Sequence, residues 1–168
     1  QSASARLNGS VLSAGMKWMP GTVTAVGGGL GREILRWVPG RIGLGFMRGF
    51  GLKAGALASS VAHDSHNIIG VGCSDGDLFT AVKAVEEMNG GLAAVRGGEV
   101  LAALPLPIAG LMSDRPLAEV ASGWEKMRRV ARDLGSAPDE PFMVLSFLAL
   151  PVIPELKITD LGLVNVKQ

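Results

Sequence analysis

A chain of 168 residues is long enough for one domain with its own core, and an apolar share of 48% argues against disorder throughout. The 16 basic and 15 acidic residues nearly cancel, and tyrosine is absent. With no Lys/Arg cluster carrying interleaved aromatics, no nucleic-acid partner is expected. No run reaches the roughly 18 apolar residues of a transmembrane helix, so no membrane partner is expected either. Residues 1–20 lack the basic start and uninterrupted apolar stretch of a signal peptide. The chain opens on Gln1 rather than Met, which fits a fragment or a processed product. The lone Cys73 rules out an intramolecular disulfide and a Cys-based zinc site. In the setting Val71-Gly72-Cys73 it reads as a buried structural thiol. A single cysteine fits a reducing compartment, and a cytoplasmic location is expected.

Residues 1–40 stand apart as a divergent, glycine-containing N-terminal arm of unassigned role. They carry Gly27-Gly28-Gly29 and Gly31 without a sustained apolar period. Gly27-Gly28-Gly29-Leu30-Gly31-Arg32-Glu33 lacks the Gly-Lys-Ser/Thr ending of a phosphate loop and the spacing of a dinucleotide fingerprint. A mobile arm, or a short strand plus an irregular loop, is the expectation there. Residues 31–38 suit a helical turn or two, stopped by Pro39.

From residue 41 onward the pattern sharpens into a single domain, 41–168. Leu44, Phe46, Phe50 and Leu52 recur with a period of two, which predicts a strand. Residues 56–62 and 68–73 predict two short buried strands. Ser74, three residues before Asp77, approximates a capping box. Leu78, Ala81, Val82, Val85 and Met88 then follow at helical spacing, and Asn89-Gly90-Gly91 ends the helix. Arg96-Gly97-Gly98 between apolar runs signals a hairpin. A second amphipathic helix is expected after Pro116, with Leu117, Val120, Trp124, Met127, Ala131 and Leu134 along one face. Arg128, Arg129 and Arg132 near its end suit the helix dipole. Residues 141–151, bounded by prolines and almost wholly apolar, predict a buried strand or irregular segment. Residues 154–160 read as a turn, and 161–166 as a last short strand. Together these elements predict an α+β fold, a mixed or antiparallel sheet with two amphipathic helices packed on one face.

The densest polar chemistry lies between the second and third of these strands, in His63, Asp64, Ser65, His66 and Asn67. Both histidines of the chain are there. Five polar side chains between apolar runs suit a loop aimed at a ligand. They equally suit a corner in which Asp64 and Asn67 bond local backbone. A metal site would want three or four ligands, and only two histidines exist. On a strand, moreover, His63 and His66 face opposite sides. A Ser65/His/Asp64 triad fails for a similar reason, because triad groups converge from separate segments. No Gly-x-Ser-x-Gly elbow is present. The residues by themselves therefore reach a polar site on a small domain, with no catalytic residue assigned and no metal held within the chain.

Several longer motifs add to this reading. They are Gly49-Phe50-Gly51-Leu52-Lys53, the run from Ser60 to Ile68, Glu87-Met88-Asn89-Gly90-Gly91-Leu92, residues 99–114, Asp139-Glu140-Pro141-Phe142-Met143, and residues 145–164. In order and spacing they resemble the C-terminal region of the adenine deaminases of the amidohydrolase superfamily. The resemblance implies a hydrolase that converts adenine to hypoxanthine and ammonia. It also implies a (β/α)₈ barrel, outside this chain, carrying a manganese or iron pair that activates the attacking water. Such a barrel needs about 250 residues. The chain is therefore expected to be inactive alone and to act with a barrel supplied in cis or in trans. His63, Asp64, Ser65, His66 and Asn67 would form a loop that closes or shapes the purine pocket. A non-enzymatic interaction or homo-oligomerisation domain is the alternative, motivated by the apolar residues between Phe142 and Leu150.

Overall fold

The computed structural model describes residues 4–7, 10–13, 23–27, 33–38, 41–47, 49–62, 67–159 and 162–166. Strands β1 (Ser4–Leu7) and β2 (Ser10–Ser13) form an antiparallel pair. Next come β3 (Val23–Gly27), β4 (Glu33–Val38), β5 (Arg41–Phe46), β6 (Ala56–Ser59) and β7 (Ile68–Gly72). Helix α1 (Asp75–Glu87) leads into the hairpin of β8 (Gly91–Arg96) and β9 (Glu99–Pro105). Helices α2 (Leu117–Asp133) and α3 (Pro141–Leu148) follow, then β10 (Leu156–Thr159) and β11 (Gly162–Asn165).

The centre is a four-stranded antiparallel sheet in the order β7-β6-β8-β9. Beyond β7 the sheet is extended by β4, β5 and β3. Strands β10 and β11 form a separate antiparallel pair. The fold is α+β, as the sequence predicts.

Alternation along the strands sorts two different surfaces. Ala56, Ala58, Ile68, Ala93 and Val95 face α1, meeting Leu78, Ala81, Val82 and Val85. Small residues on that face let the helix approach closely. A methyl group added at Gly70 or Gly72 would stand 3.0 Å from Leu78. Leu57, Ile69, Val71, Leu92, Ala94, Ala102 and Leu104 face the other way. There they meet Met127, Ala131 and Leu134 of α2 and its end, and Phe142 and Leu145 of α3. Trp124 of α2 and Phe142 of α3 place their ring centroids 6.0 Å apart, a tilted contact of the kind aromatic pairs favour.

The helices therefore differ from the expected arrangement. They lie on both faces of the sheet, not one. The reason is the connection β7-α1-β8. Strand β8 pairs with the far side of β6 and so runs parallel to β7, which requires a crossover over one face. That crossover is α1, and α2 and α3 cover the face it leaves open. Residues 141–148 are also helical rather than extended. Pro141 occupies the helix start, where its missing N–H costs nothing. Phe142, Leu145 and Ala149 turn inward while Met143 and Phe147 remain exposed, a helical period inside an almost uniformly apolar run.

Four further expectations shift. Residues 33–38 pair as a strand instead of coiling into a helix, since Ile34, Trp37 and Val38 suit a pleated surface and β5 supplies the partner. The strand expected over 44–52 stops at Phe46. Leu156–Thr159, taken as part of a turn, pairs with β11. Leu117, assigned to the buried face of α2, is 83% exposed.

Local signals succeeded elsewhere. The Ser74 hydroxyl accepts from the Asp77 N–H at 3.3 Å and caps α1. Gly97 and Gly98 both hold positive φ, 61° and 80°, as a two-residue hairpin loop demands. Cys73, expected to be buried, is only half-buried, and its thiol donates to the Leu52 carbonyl at 3.4 Å.

Candidate functional site

His63, Asp64, Ser65 and His66 lie outside the described residues, and Asn67 lies within them. In sequence the segment links β6, which ends at Ser59, to β7, which begins at Ile68, and both of those ends lie at one end of the central sheet. The geometry that fixes this end is built from Ser59, Ser60 and Asn67, the start of β8, and the segment after β9.

Ser59 and Ser60 terminate β6 by turning their hydroxyls onto backbone. The Val61 N–H donates to the Ser59 hydroxyl at 3.0 Å, and the Ala62 N–H to the Ser60 carbonyl at 3.0 Å. These short-range bonds compete with the strand ladder and turn the chain. Ser60 also reaches across the structure. Its hydroxyl accepts from the Gly91 N–H at 2.7 Å and donates to the Gly110 carbonyl at 2.5 Å. All three residues are buried. The hydroxyl thus ties the approach to residues 63–67 to a turn fifty positions later in the sequence.

That turn spans residues 108–112. Ile108 and Met112 exchange two backbone hydrogen bonds, each 3.1 Å, and the Leu111 N–H donates to the Ile108 carbonyl at 3.0 Å. Gly90 makes the close approach possible. A Cβ at Gly90 would stand 2.4 Å from the Gly110 Cα, well inside contact distance, so no other residue fits there without displacing the turn.

Asn67 is the most unusual side chain of this end. It is 2% exposed, and among the described residues neither its Nδ2 nor its Oδ1 has a hydrogen-bond partner. Strand alternation places it on the side of Ile69 and Val71, facing α2 and α3. Buried carboxamides are nearly always paired, so this one stands out among the described residues.

Among the described residues, no three His, Cys, Asp or Glu side chains gather closely enough to hold a metal ion. The donor set described here does not fit a manganese or iron pair. No helix among the described residues is long and apolar enough to cross a membrane.

Sequence reasoning located the 63–67 segment but missed the Ser60, Gly91 and Gly110 latch. The available signal was a pair of serines closing an otherwise apolar run, together with the Gly90-Gly91 pair.

Residues 36–168 match the model of the adenine deaminase C-terminal domain. The chain belongs to that family. It is 64% identical over 127 residues to an adenine deaminase of Desulfatibacillum aliphaticivorans, a match covering 76% of this chain and 22% of that protein. The corresponding identities are 57% for an adenine deaminase of Dehalococcoides mccartyi and 59% for one of Brucella abortus, with the same coverages. The chain therefore spans about a fifth of the length of these relatives (22% in each case). Within the adenine deaminase C-terminal domain, the latch and Asn67 occupy the sheet end where β6 stops and β7 begins.

Proposed function

We propose that this domain works as part of an adenine deaminase, which hydrolyses adenine to hypoxanthine and ammonia. The observation that carries the proposal is the family match over residues 36–168, in a chain that spans 22% of each named relative. A manganese or iron pair would reside in a barrel outside this domain, in cis or in trans. The protein would work in the cytoplasm, and homo-oligomerisation is compatible with its exposed apolar side chains.

Within that enzyme, His63, Asp64, Ser65, His66 and Asn67 would close the purine pocket. Support comes from the unpartnered Asn67 amide at the root of the segment and from the latch that fixes its approach. The test is ammonia release from adenine with manganese or iron supplied. The domain joined to its barrel should turn over adenine, and the domain alone should not. Turnover by the domain alone would overturn the division of labour. In the joined protein, His66→Ala and Asp64→Asn should each reduce turnover, and unchanged kinetics would reduce the segment to a structural corner.

A further inference from the structure

The turn of residues 108–112 carries large apolar side chains in the open. Ile108 is 44% exposed, Leu111 36% and Met112 58%. Scattered apolar residues are ordinary on a protein surface, but here they share one short turn. The turn is also held stiffly, by the two Ile108–Met112 backbone bonds, by the Leu106 N–H on the Gly90 carbonyl at 2.9 Å, and by the Ser60 hydroxyl on Gly110. After Ser113, the exposed Asp114 and Arg115 bring charges next to the apolar tip in sequence. A preorganised apolar tip with a polar rim is the anatomy of a binding anchor, because little conformational entropy is lost when it is covered.

We propose that the turn of residues 108–112 is the docking anchor that seats this domain on the metal-bearing part of the deaminase. The proposal rests on the functional reading above. It commits to that occupant for two reasons. The relatives carry more than three quarters of their length outside the matched region, since the match covers 22% of each, so a large partner surface is covalently at hand. The Ser60 latch makes the turn continuous with the approach to residues 63–67. Seating the turn would then also fix where that polar segment lies relative to the purine pocket.

The test uses the complete enzyme, with Met112→Glu and Ile108→Glu as the perturbing variants. Both positions are exposed, so the new carboxylates are solvated in the free domain and the fold is kept. Met143→Glu makes the same change at a similarly exposed position on α3, 53% exposed, and serves as the control. Cross-linking mass spectrometry reports contact between the domain and the metal-bearing part, light scattering reports oligomeric state, and ammonia release reports turnover.

The turn variants should lose the inter-part cross-links and about tenfold or more in kcat/KM for adenine, the loss that follows from removing one anchor. Met143→Glu should keep both within about twofold, as a substitution outside the anchor does. Retained cross-links in Met112→Glu would overturn the proposal. So would oligomers that dissociate while the cross-links within each copy persist, which would assign the turn to a second copy of the chain. An equal effect from Met143→Glu would overturn it as well. If the unmodified enzyme releases no ammonia from adenine, the functional reading fails, and the cross-links still decide whether the turn docks.

Discussion

Asn67→Leu tests the central feature of the site through the sign of its effect. The side chain is 2% exposed, with both amide atoms unpartnered among the described residues. Each buried polar atom left without a bond costs about 1–3 kcal/mol. Leucine is close in shape and removes both costs. Imperfect fit in a packed interior takes back about 1 kcal/mol. The net expectation is therefore a stabilisation of about 1–5 kcal/mol, opposite to the destabilisation that most buried substitutions produce. Urea unfolding measures it as a raised midpoint at constant slope, so that the change reflects stability rather than altered compactness. If the amide serves adenine turnover, the same substitution lowers kcat/KM in the complete enzyme while stabilising the domain, a trade expected where a strained group is kept for function. A loss of stability of more than about 1 kcal/mol would refute the reasoning, since it would mean that the amide is already well bonded.

Three other outcomes follow from the same geometry. Ser60→Ala removes the acceptor of the buried Gly91 N–H and the donor to the Gly110 carbonyl, and should cost about 2–4 kcal/mol in urea unfolding. It should also raise amide exchange across residues 108–112, and unchanged exchange there would sever the latch from the turn. Gly90→Ala places a methyl 2.4 Å from the Gly110 Cα at a φ of +115°, and backbone strain alone should cost about 1–3 kcal/mol of stability. Ser74→Ala deletes the cap on the Asp77 N–H and should cost about 1 kcal/mol, measurable as a lower unfolding midpoint.

The sequence revealed most where a single residue does a local job. Ser74 names the start of α1 because few side chains can cap a helix, and Gly97-Gly98 names the hairpin because both residues need positive φ. It misled where polar contrast disappeared. Residues 141–148 hold one polar side chain, Ser146, so a period of two and a period of 3.6 look alike, and only the tertiary setting turns Phe142 and Leu145 inward. The side of the sheet on which α1 packs was not legible either. It depends on β8 pairing with β6 rather than β7, a nonlocal choice that no window of sequence contains.

The candidate site divides along the same line. Composition alone picks out the 63–67 segment, because a cluster of polar side chains between apolar runs breaks the local pattern. What the segment is attached to depends on distant partners, namely Ser60 with Gly91 and Gly110. A serine at the end of a buried strand reads locally as a strand terminator, and its second role becomes visible only once β8 and the 108–112 turn are brought beside it. Among the described residues, two violations of ordinary packing at this end are a buried amide without a partner and a stiff turn with its apolar side chains exposed. Native sequences break such rules mainly at functional sites. Both are relieved by the same event if this end of the sheet docks on the remainder of a longer chain, as proposed above. The turn variants and Asn67→Leu should then be non-additive in kcat/KM, because residues acting through one interface couple and independent ones do not.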